Sequence, residues 1–191
     1  MLFSLLIGAL LASDHLAIGW GGLGARSAAG YALAYALGFW VAALAEELLF
    51  RGYLQATLAR IVGFWPAALL LSLGFGLVHR TNPGESTLGV LNAALIGLAL
   101  CLCLRLSGSL WWGIGFHAAW DWAESFLWGT PVSGYVLEQR FLHARALGDP
   151  LWSGGAAGPE ASLAILPLLC LLTVVALRSF APARWRSCAA A

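Results

Sequence analysis

The sequence predicts an all-α fold, a polytopic bundle of about six transmembrane helices in a single membrane domain, residues 1–191. The chain has 191 residues, of which 61% are hydrophobic and 10% charged, and its mean hydropathy is +0.83. Soluble domains are about 45–50% apolar and about 25% charged. Apolar runs near the roughly 20 residues that a transmembrane helix needs also recur along the chain. Both observations favour a helical membrane protein of one domain.

The first three candidate spans occupy the N-terminal part of the sequence. Residues 1–12 are apolar but few, and Asp14 and His15 follow them, so this candidate is weak. The second span covers 27–50, with a helical extension as far as residue 60. A turn at 63–66 precedes the third span, 65–79, and Pro66 suits the first turn of that helix.

The remaining spans are predicted at 86–106, 110–128 and 160–178. A short turn follows the fourth span, and a loop at 129–159 separates the fifth from the sixth. Pro159 and Glu160 suit a helix start, because proline fits the first helical position and an acid complements the helix dipole. Residues 179–191 form a short basic tail with Arg184 and Arg186, which predicts a cytoplasmic C-terminus.

Charge and cysteine usage exclude several classes of function. The net charge is +1 and no basic patch is present, so nucleic acid is not an expected partner. All ten basic residues are arginine, which excludes a Schiff base, a Ser-Lys dyad and a Walker-type lysine. The cysteines are spaced without a CxxC motif, and we expect them to act as small hydrophobic residues. They are Cys101, Cys103, Cys170 and Cys188.

Ionisable residues inside the predicted spans require an explanation. Each costs roughly 2.5–3.5 kcal/mol at a helix centre on insertion scales, so such residues are functional candidates. The set within or near the spans is Glu46, Glu47, Arg51, His79, His117, Asp121 and Glu124.

The second span carries three of these residues at informative spacing. Arg51 lies four residues after Glu47, so the two side chains share a helix face and can pair. Glu46 projects about 100° away from Glu47. The spacing therefore predicts that Arg51 holds Glu47 ionised, while Glu46 faces a cavity as a candidate general base.

The third and fifth spans contribute the other polar groups. His117 and Asp121 share one face of the fifth helix, so Asp121 orients His117 or both point at one atom. His79 ends the third helix, one turn after Phe75. Three helices can therefore converge Glu, His, His and Asp on one point. Each of these polar groups alone also fits a structural role. Glu47 with Arg51 could be a stabilising ion pair, His79 an interfacial residue, and His117 with Asp121 an interhelical hydrogen bond. We expect a structural role for Glu124.

Three motifs carry a family resemblance. The stretch at Glu46–Gly52, Glu-Glu-Leu-Leu-Phe-Arg-Gly, resembles the EExxxR motif of the CAAX protease and bacteriocin-processing (CPBP) family. Phe75 to His79 matches its FxxxH motif, and His117 to Asp121 its HxxxN/D motif. The resemblance covers a core region of about 27–178, where 131–134 and 154–160 resemble a loop of bacterial members.

The resemblance implies an intramembrane endopeptidase with its active site inside the bundle. Carried over, Glu46 activates water, His79 helps to hold it, and His117 with Asp121 stabilises the oxyanion. Glu47 and Arg51 would support the site. The prenyl endopeptidases carry Asn at the position of Asp121, and ionised Asp cannot donate to an oxyanion. The resemblance therefore leaves three roles open for Asp121: it is protonated, it orients His117, or it binds a metal.

The expected cofactor is none, with zinc as the alternative. Two histidines with Glu and Asp are a plausible zinc-type ligand set. The ligands would then be Glu46, His79, His117 and Asp121. No HExxH motif is present.

The expected substrate is a membrane-associated, prenylated or leader-type peptide, or another membrane protein. Arginine-only usage and the bacterial-type loop suggest a bacterial chain in the inner membrane. One alternative is a non-catalytic bacteriocin-immunity or membrane interaction protein. Another is a transporter or proton relay, which would favour inverted repeats, and none is visible. The sequence leaves the oligomeric state open.

Overall fold

The structure is a computed structural model that describes residues 2–180, and it is mostly helical. Two short strands and several single helical turns complete the fold. In chain order the elements are α1 (Leu2–Ala12), β1 (Leu16–Trp20), α2 (Ala25–Glu47), a π-helical segment (Leu48–Leu54), α3 (Gln55–Val62), α4 (Phe64–Val78), a 3₁₀ turn (His79–Thr81), α5 (Thr87–Ser107), α6 (Leu110–Trp122), a second π-helical segment (Ala123–Trp128), β2 (Leu142–Ala146), α7 (Pro150–Ser153), 3₁₀ turns (Pro159–Ala161 and Leu163–Ile165) and α8 (Leu166–Ser179).

Two helices among the described residues are long and apolar enough to cross a membrane. The first is the continuous helix Ala25–Val62, and the second is α5. The first has 38 residues and is therefore about 57 Å long, well beyond the roughly 30 Å hydrocarbon core. Its apolar side chains, including Leu33, Leu37 and Val41, are exposed. Such a surface would promote aggregation in water, whereas the hydrocarbon chains of lipids can cover it.

The predicted first span is too short to cross a bilayer and instead enters the core. Helix α1 has 11 residues, about 16 Å. Its side chains Phe3, Leu6, Ile7 and Leu10 are buried against Trp120 and other core residues. An apolar face that packs on protein gives the same composition as one that faces lipid. The last apolar helix, Leu163–Ser179, is also short, so the structure does not establish six spans.

Three pairs of packed helices form much of the interior of the protein. Helix α2 packs on α6, α4 packs on α5, and α5 packs on α8. Two tryptophan indole N–H groups add contacts between elements, from the end of α6 to α2 and from the second π-helical segment to α1. Trp122 donates to the carbonyl of Ala32 at 2.9 Å, and Trp128 donates to Ser4 Oγ at 3.1 Å.

A two-stranded antiparallel ribbon departs from the all-α prediction. Strands β1 and β2 pair from Leu16 opposite Ala146 to Trp20 opposite Leu142. The two strands lie more than 120 residues apart, so neither segment shows a hairpin pattern. Gly21 continues the close approach, because a Cβ there would lie 2.1 Å from the carbonyl oxygen of Arg140. The ribbon therefore forms only when the folded bundle brings the two loops together.

The cysteines in α5 are buried, as expected of small hydrophobic residues. Cys101 and Cys103 are each 1% exposed, and both are free thiols, as is Cys170. Cys188, Arg184 and Arg186 lie outside the described residues, as does all but the start of the predicted tail 179–191.

Candidate active site

The predicted pair of Glu47 and Arg51 is present at the end of α2. Arg51 Nη1 donates to Glu47 Oε1 at 2.8 Å, and both side chains are 2% exposed. The guanidinium also lies over the ring of Phe75, with its Cζ 4.3 Å from the ring centroid. Arg51 belongs to the π-helical segment, and such segments are frequent at functional sites. The ion pair is confirmed and is fully enclosed by protein.

Two glycines make room for this pair. A Cβ at Gly97 of α5 would lie 2.9 Å from Arg51 Nη2, and a Cβ at Gly113 of α6 would lie 3.3 Å from Glu47 Oε2. Side chains at these positions would compress the pair. The absence of side chains at Gly97 and Gly113 therefore lets α5 and α6 approach the ionic centre.

His117 is held from the side of α2. Its Nδ1 lies 3.0 Å from Glu47 Oε1, within hydrogen-bond distance. Its Nε2 faces Glu46 Oε2 at 3.8 Å and Asp121 Oδ2 at 3.6 Å. The sequence prediction that Asp121 orients His117 is therefore not matched by a hydrogen bond, whereas Glu47 makes one. Because Glu47 and His117 lie 70 residues apart, no local sequence pattern predicts this hydrogen bond.

His79 enters the site from the end of α4. Its Nδ1 lies 2.7 Å from the carbonyl oxygen of Phe75, one turn earlier. When Nδ1–H donates there, Nε2 is left as an acceptor. The ring of Phe75 packs 4.7 Å from that of His79 and 6.3 Å from that of His117. Phe75 thus contacts Arg51 and both histidines.

A cavity of about 380 Å³ brings the four predicted catalytic residues together. Glu46, His79, His117 and Asp121 all line it. Glu46 is half-buried, and its Oε2 has no hydrogen-bond partner among the described residues. The buried Glu47 and Arg51 do not line the cavity. The structure therefore places Glu46 at the cavity wall and the ion pair behind it, as the helix spacing predicted.

Sequence reasoning gave no role in the site to two acidic residues of the cavity wall, Glu85 and Glu160, and expected a structural role for Glu124, which lies behind Glu160. Glu160, interpreted only as a helix start, lines the cavity, and its carboxylate accepts a hydrogen bond from Trp120 Nε1. Glu124 is 0% exposed, and its carboxyl group lies beside that of Glu160. The available signal was an acidic residue at the start of an apolar run, but a helix N-terminus explains the same pattern.

The four residues named for the zinc alternative lie on the wall of the same cavity. Among residues 2–180, no group of three or more His, Cys, Asp or Glu side chains has the arrangement of a metal site. Glu46, His79, His117 and Asp121 share the cavity wall without forming such a group. The absence of a cofactor and the zinc alternative at these four residues both stay predictions.

Comparison with known proteins agrees with the three motifs. The sequence matches the model of the family described as type II CAAX prenyl endopeptidase Rce1-like over residues 28–123, or 96 of the 191 residues. That range contains all three motifs. No curated protein and no solved structure gives a match to the chain. The chain therefore belongs to the type II CAAX prenyl endopeptidase Rce1-like family, whose members are membrane-embedded hydrolases of peptide bonds.

Proposed function

We propose that this protein is an intramembrane endopeptidase in which Glu46 activates the attacking water. The observation that carries the proposal is the convergence of Glu46, His79, His117 and Asp121 on one cavity. A half-buried carboxylate that lines the same cavity as two imidazoles is a suitable general base. The family supports hydrolysis of a peptide bond in a membrane-associated substrate.

The first step is attack of water on the scissile carbonyl carbon. Glu46 accepts one proton from the water, while the acceptor Nε2 of His79 holds the water by its other hydrogen. The new C–O bond converts the carbonyl into a tetrahedral oxyanion. The same Glu46 then delivers its proton to the departing nitrogen as the C–N bond breaks.

The oxyanion needs a donor, and His117 is placed to supply it. As an imidazolium, His117 donates Nδ1–H to Glu47 and still presents Nε2–H to the cavity. Glu47, fixed by Arg51, is a positioning residue in this scheme. Asp121, with Oδ2 3.6 Å from Nε2, lies next to this donor on the same face of α6. One such donor is typically worth 10²–10³ in kcat.

We propose that no bound metal takes part. The proposal is supported by the geometry of residues 2–180, where no three His, Cys, Asp or Glu side chains are arranged to hold a metal ion. Zinc at the four cavity residues is the competing arrangement. It predicts stoichiometric zinc in the purified protein and loss of activity on chelation.

The membrane arrangement is proposed in the same way. The continuous helix from Ala25, α5, and the three apolar helices between and after them would cross a bacterial inner membrane, which gives five spans where the sequence predicted about six. Residues 1–191 would be one domain with a cytoplasmic C-terminus. The composition of the chain and the exposed apolar faces of α2 and α4 support this arrangement.

The test compares Glu46→Gln with Glu138→Gln, a matched loss of one carboxylate at an exposed position outside the cavity. Wild type and both variants are purified in neutral detergent, and their metal content is measured. A quenched library of hydrophobic peptides serves as the substrate. We expect cleavage by wild type and Glu138→Gln, a loss of at least 10²-fold in Glu46→Gln, and unaltered activity after chelation.

Other outcomes have defined meanings. Equal cleavage by wild type and Glu46→Gln would contradict the role of Glu46. Cleavage that depends on bound zinc would move the four cavity residues into ligand roles. No cleavage by folded wild type would favour the alternative, a non-catalytic immunity or membrane interaction protein.

A further inference from the structure

A cluster of buried polar side chains adjoins Arg51 outside the cavity. Gln55 lies one turn after Arg51, Ser72 belongs to α4, and Cys101 belongs to α5. Each of the three is at most 2% exposed, and none of them lines the cavity. A buried polar side chain in a membrane-spanning helix carries a free-energy cost unless it is hydrogen-bonded. These side chains therefore need partners within the protein.

The thiol of Cys101 connects the members of this cluster. Its Sγ donates to Gln55 Oε1 at 3.0 Å, and the hydroxyl oxygen of Ser72 lies 3.8 Å from the same sulfur. The guanidinium of Arg51 is also within hydrogen-bond reach of this sulfur. Arginine has only donors, and the thiol proton is directed to Gln55. The sulfur is therefore the acceptor in its contact with Arg51.

The packing of α5 brings this thiol to the guanidinium. Gly97 lies one turn before Cys101, and a Cβ at Gly97 would lie 2.9 Å from Arg51 Nη2 and 3.4 Å from Ser72 Oγ. Because position 97 has no side chain, α5 can approach until Cys101 reaches Arg51. Cys103 is equally buried, at 1% exposed, but makes no hydrogen bond to another side chain in the described part of the chain. Cys101 thus has polar contacts beyond the small hydrophobic role that the sequence predicts for both cysteines.

Arg51 is linked to the proposed oxyanion donor through a single oxygen atom. Arg51 Nη1 donates to Glu47 Oε1 at 2.8 Å, and His117 Nδ1 lies 3.0 Å from the same oxygen. A shift of the guanidinium would therefore move the carboxylate that holds the imidazole. The direction of Nε2, on the cavity side of His117, would change with it. A displacement of about 1 Å in a catalytic group can cost about 10²-fold in rate.

We infer that Cys101 is a positioning residue of the candidate active site. Its sulfur holds the guanidinium of Arg51, and Gln55 holds the thiol in turn. Arg51 then fixes Glu47, which orients the imidazole of His117. The inference rests on the proposed function, because the group that is positioned is the proposed oxyanion donor. The thiol itself takes part in no proton transfer and no covalent step.

Three variants separate this role from packing. Cys101→Ala removes the thiol, whereas Cys101→Ser keeps a group that both accepts and donates. Cys103→Ala is the matched control, because it removes an equally buried thiol from the same helix. Values of kcat and KM are measured in neutral detergent with a hydrophobic peptide that the wild type cleaves, and kcat is expressed per mole of folded protein.

We expect Cys101→Ala to lower kcat at least about 10-fold with a change in KM below about threefold, since the oxyanion donor acts in the transition state. Cys101→Ser should restore kcat to within about threefold of wild type, and Cys103→Ala should stay within about twofold. Where Cys101→Ala does not fold, Cys101→Val takes its place, because valine fills the space without a polar atom.

A spectroscopic measurement tests the same contact without any substrate. The imidazole of His117 is observed by NMR in protein with isotope-labelled histidine, and its Nδ1–H signal is assigned by its loss in His117→Gln. We expect this signal to shift in Cys101→Ala and to stay in place in Cys101→Ser and Cys103→Ala. A merely structural role of the thiol would lower the melting temperature without this selective shift.

Contrary results are clearly defined. An unchanged kcat and an unchanged His117 signal in Cys101→Ala would overturn the inference. Equal losses of kcat in Cys101→Ala and Cys103→Ala, or a Cys101→Ser variant as slow as Cys101→Ala, would show that the thiol acts through packing alone. A selective shift of the His117 signal in a protein that cleaves no peptide would support the positioning contact and contradict the proposed peptidase, so the two failures remain distinguishable.

Discussion

Replacing Arg51 by methionine should be among the most damaging single changes in this protein. The substitution keeps much of the side-chain volume but removes the charge that Glu47 faces at 2.8 Å. Because both side chains are 2% exposed, water cannot replace the lost partner. Removing one member of a buried pair typically costs about 3–5 kcal/mol, since the other charge is left uncompensated. Loss of the contact with Phe75 adds to this cost.

The double variant Glu47→Gln/Arg51→Met provides the internal control. It removes both charges, so it should be more stable than Arg51→Met alone, although its activity should stay low because His117 loses its charged partner. The free energy of unfolding in mixed detergent is measured for wild type, Glu47→Gln, Arg51→Met and the double variant. These four values give the coupling energy between the two side chains. A cost below about 1 kcal/mol for Arg51→Met, or additive effects of the two substitutions, would refute the buried-pair argument.

Three further predictions concern packing, polar support and metal. In α4, Gly76→Ala should lower the free energy of unfolding by about 1–3 kcal/mol, because the new Cβ would lie 2.4 Å from a backbone oxygen of α5. Gly74→Ala is the control: a Cβ there meets open space, so the free energy of unfolding should rise by about 0.5–1 kcal/mol. Equal melting temperatures of the two variants would contradict this prediction. Asn92→Ala should cost about 2–4 kcal/mol because two carbonyls lose their donor, and a melting temperature equal to wild type would exclude that role. Peptidase activity should survive dialysis against a strong chelator, with metal content measured in parallel, and recovery of lost activity by zinc alone would reverse this prediction.

Much of the site could be predicted because its motifs are local. Glu47 and Arg51 meet through four-residue spacing within one helix, and the same helix turns Glu46 toward another side. His79 follows Phe75 by one turn, and its Nδ1 lies within hydrogen-bond distance of the carbonyl of that residue. Periodicity fixes these relations before any helix packs against another.

Other features could not be predicted because they depend on contacts between distant segments. Glu47 rather than Asp121 makes the hydrogen bond to His117, since the packing of α2 on α6 decides which carboxylate is nearer. The first apolar run packs into the core because its 11 residues are enclosed by later elements. Composition cannot distinguish an apolar face that meets protein from one that meets lipid.

The sequence by itself determined which polar groups this protein carries among its apolar helices. Its hydropathy requires an apolar environment, and the three motifs supply carboxylates, two imidazoles and the two members of an ion pair. The tertiary structure alone decided which other acidic groups join the cavity. Glu160 reaches the cavity through the fold of the loop before α8, and Glu124 lies behind it in a π-helical segment. Side-chain spacing is a property of one helix, whereas the electrostatic character of a cavity is a sum over every segment that encloses it.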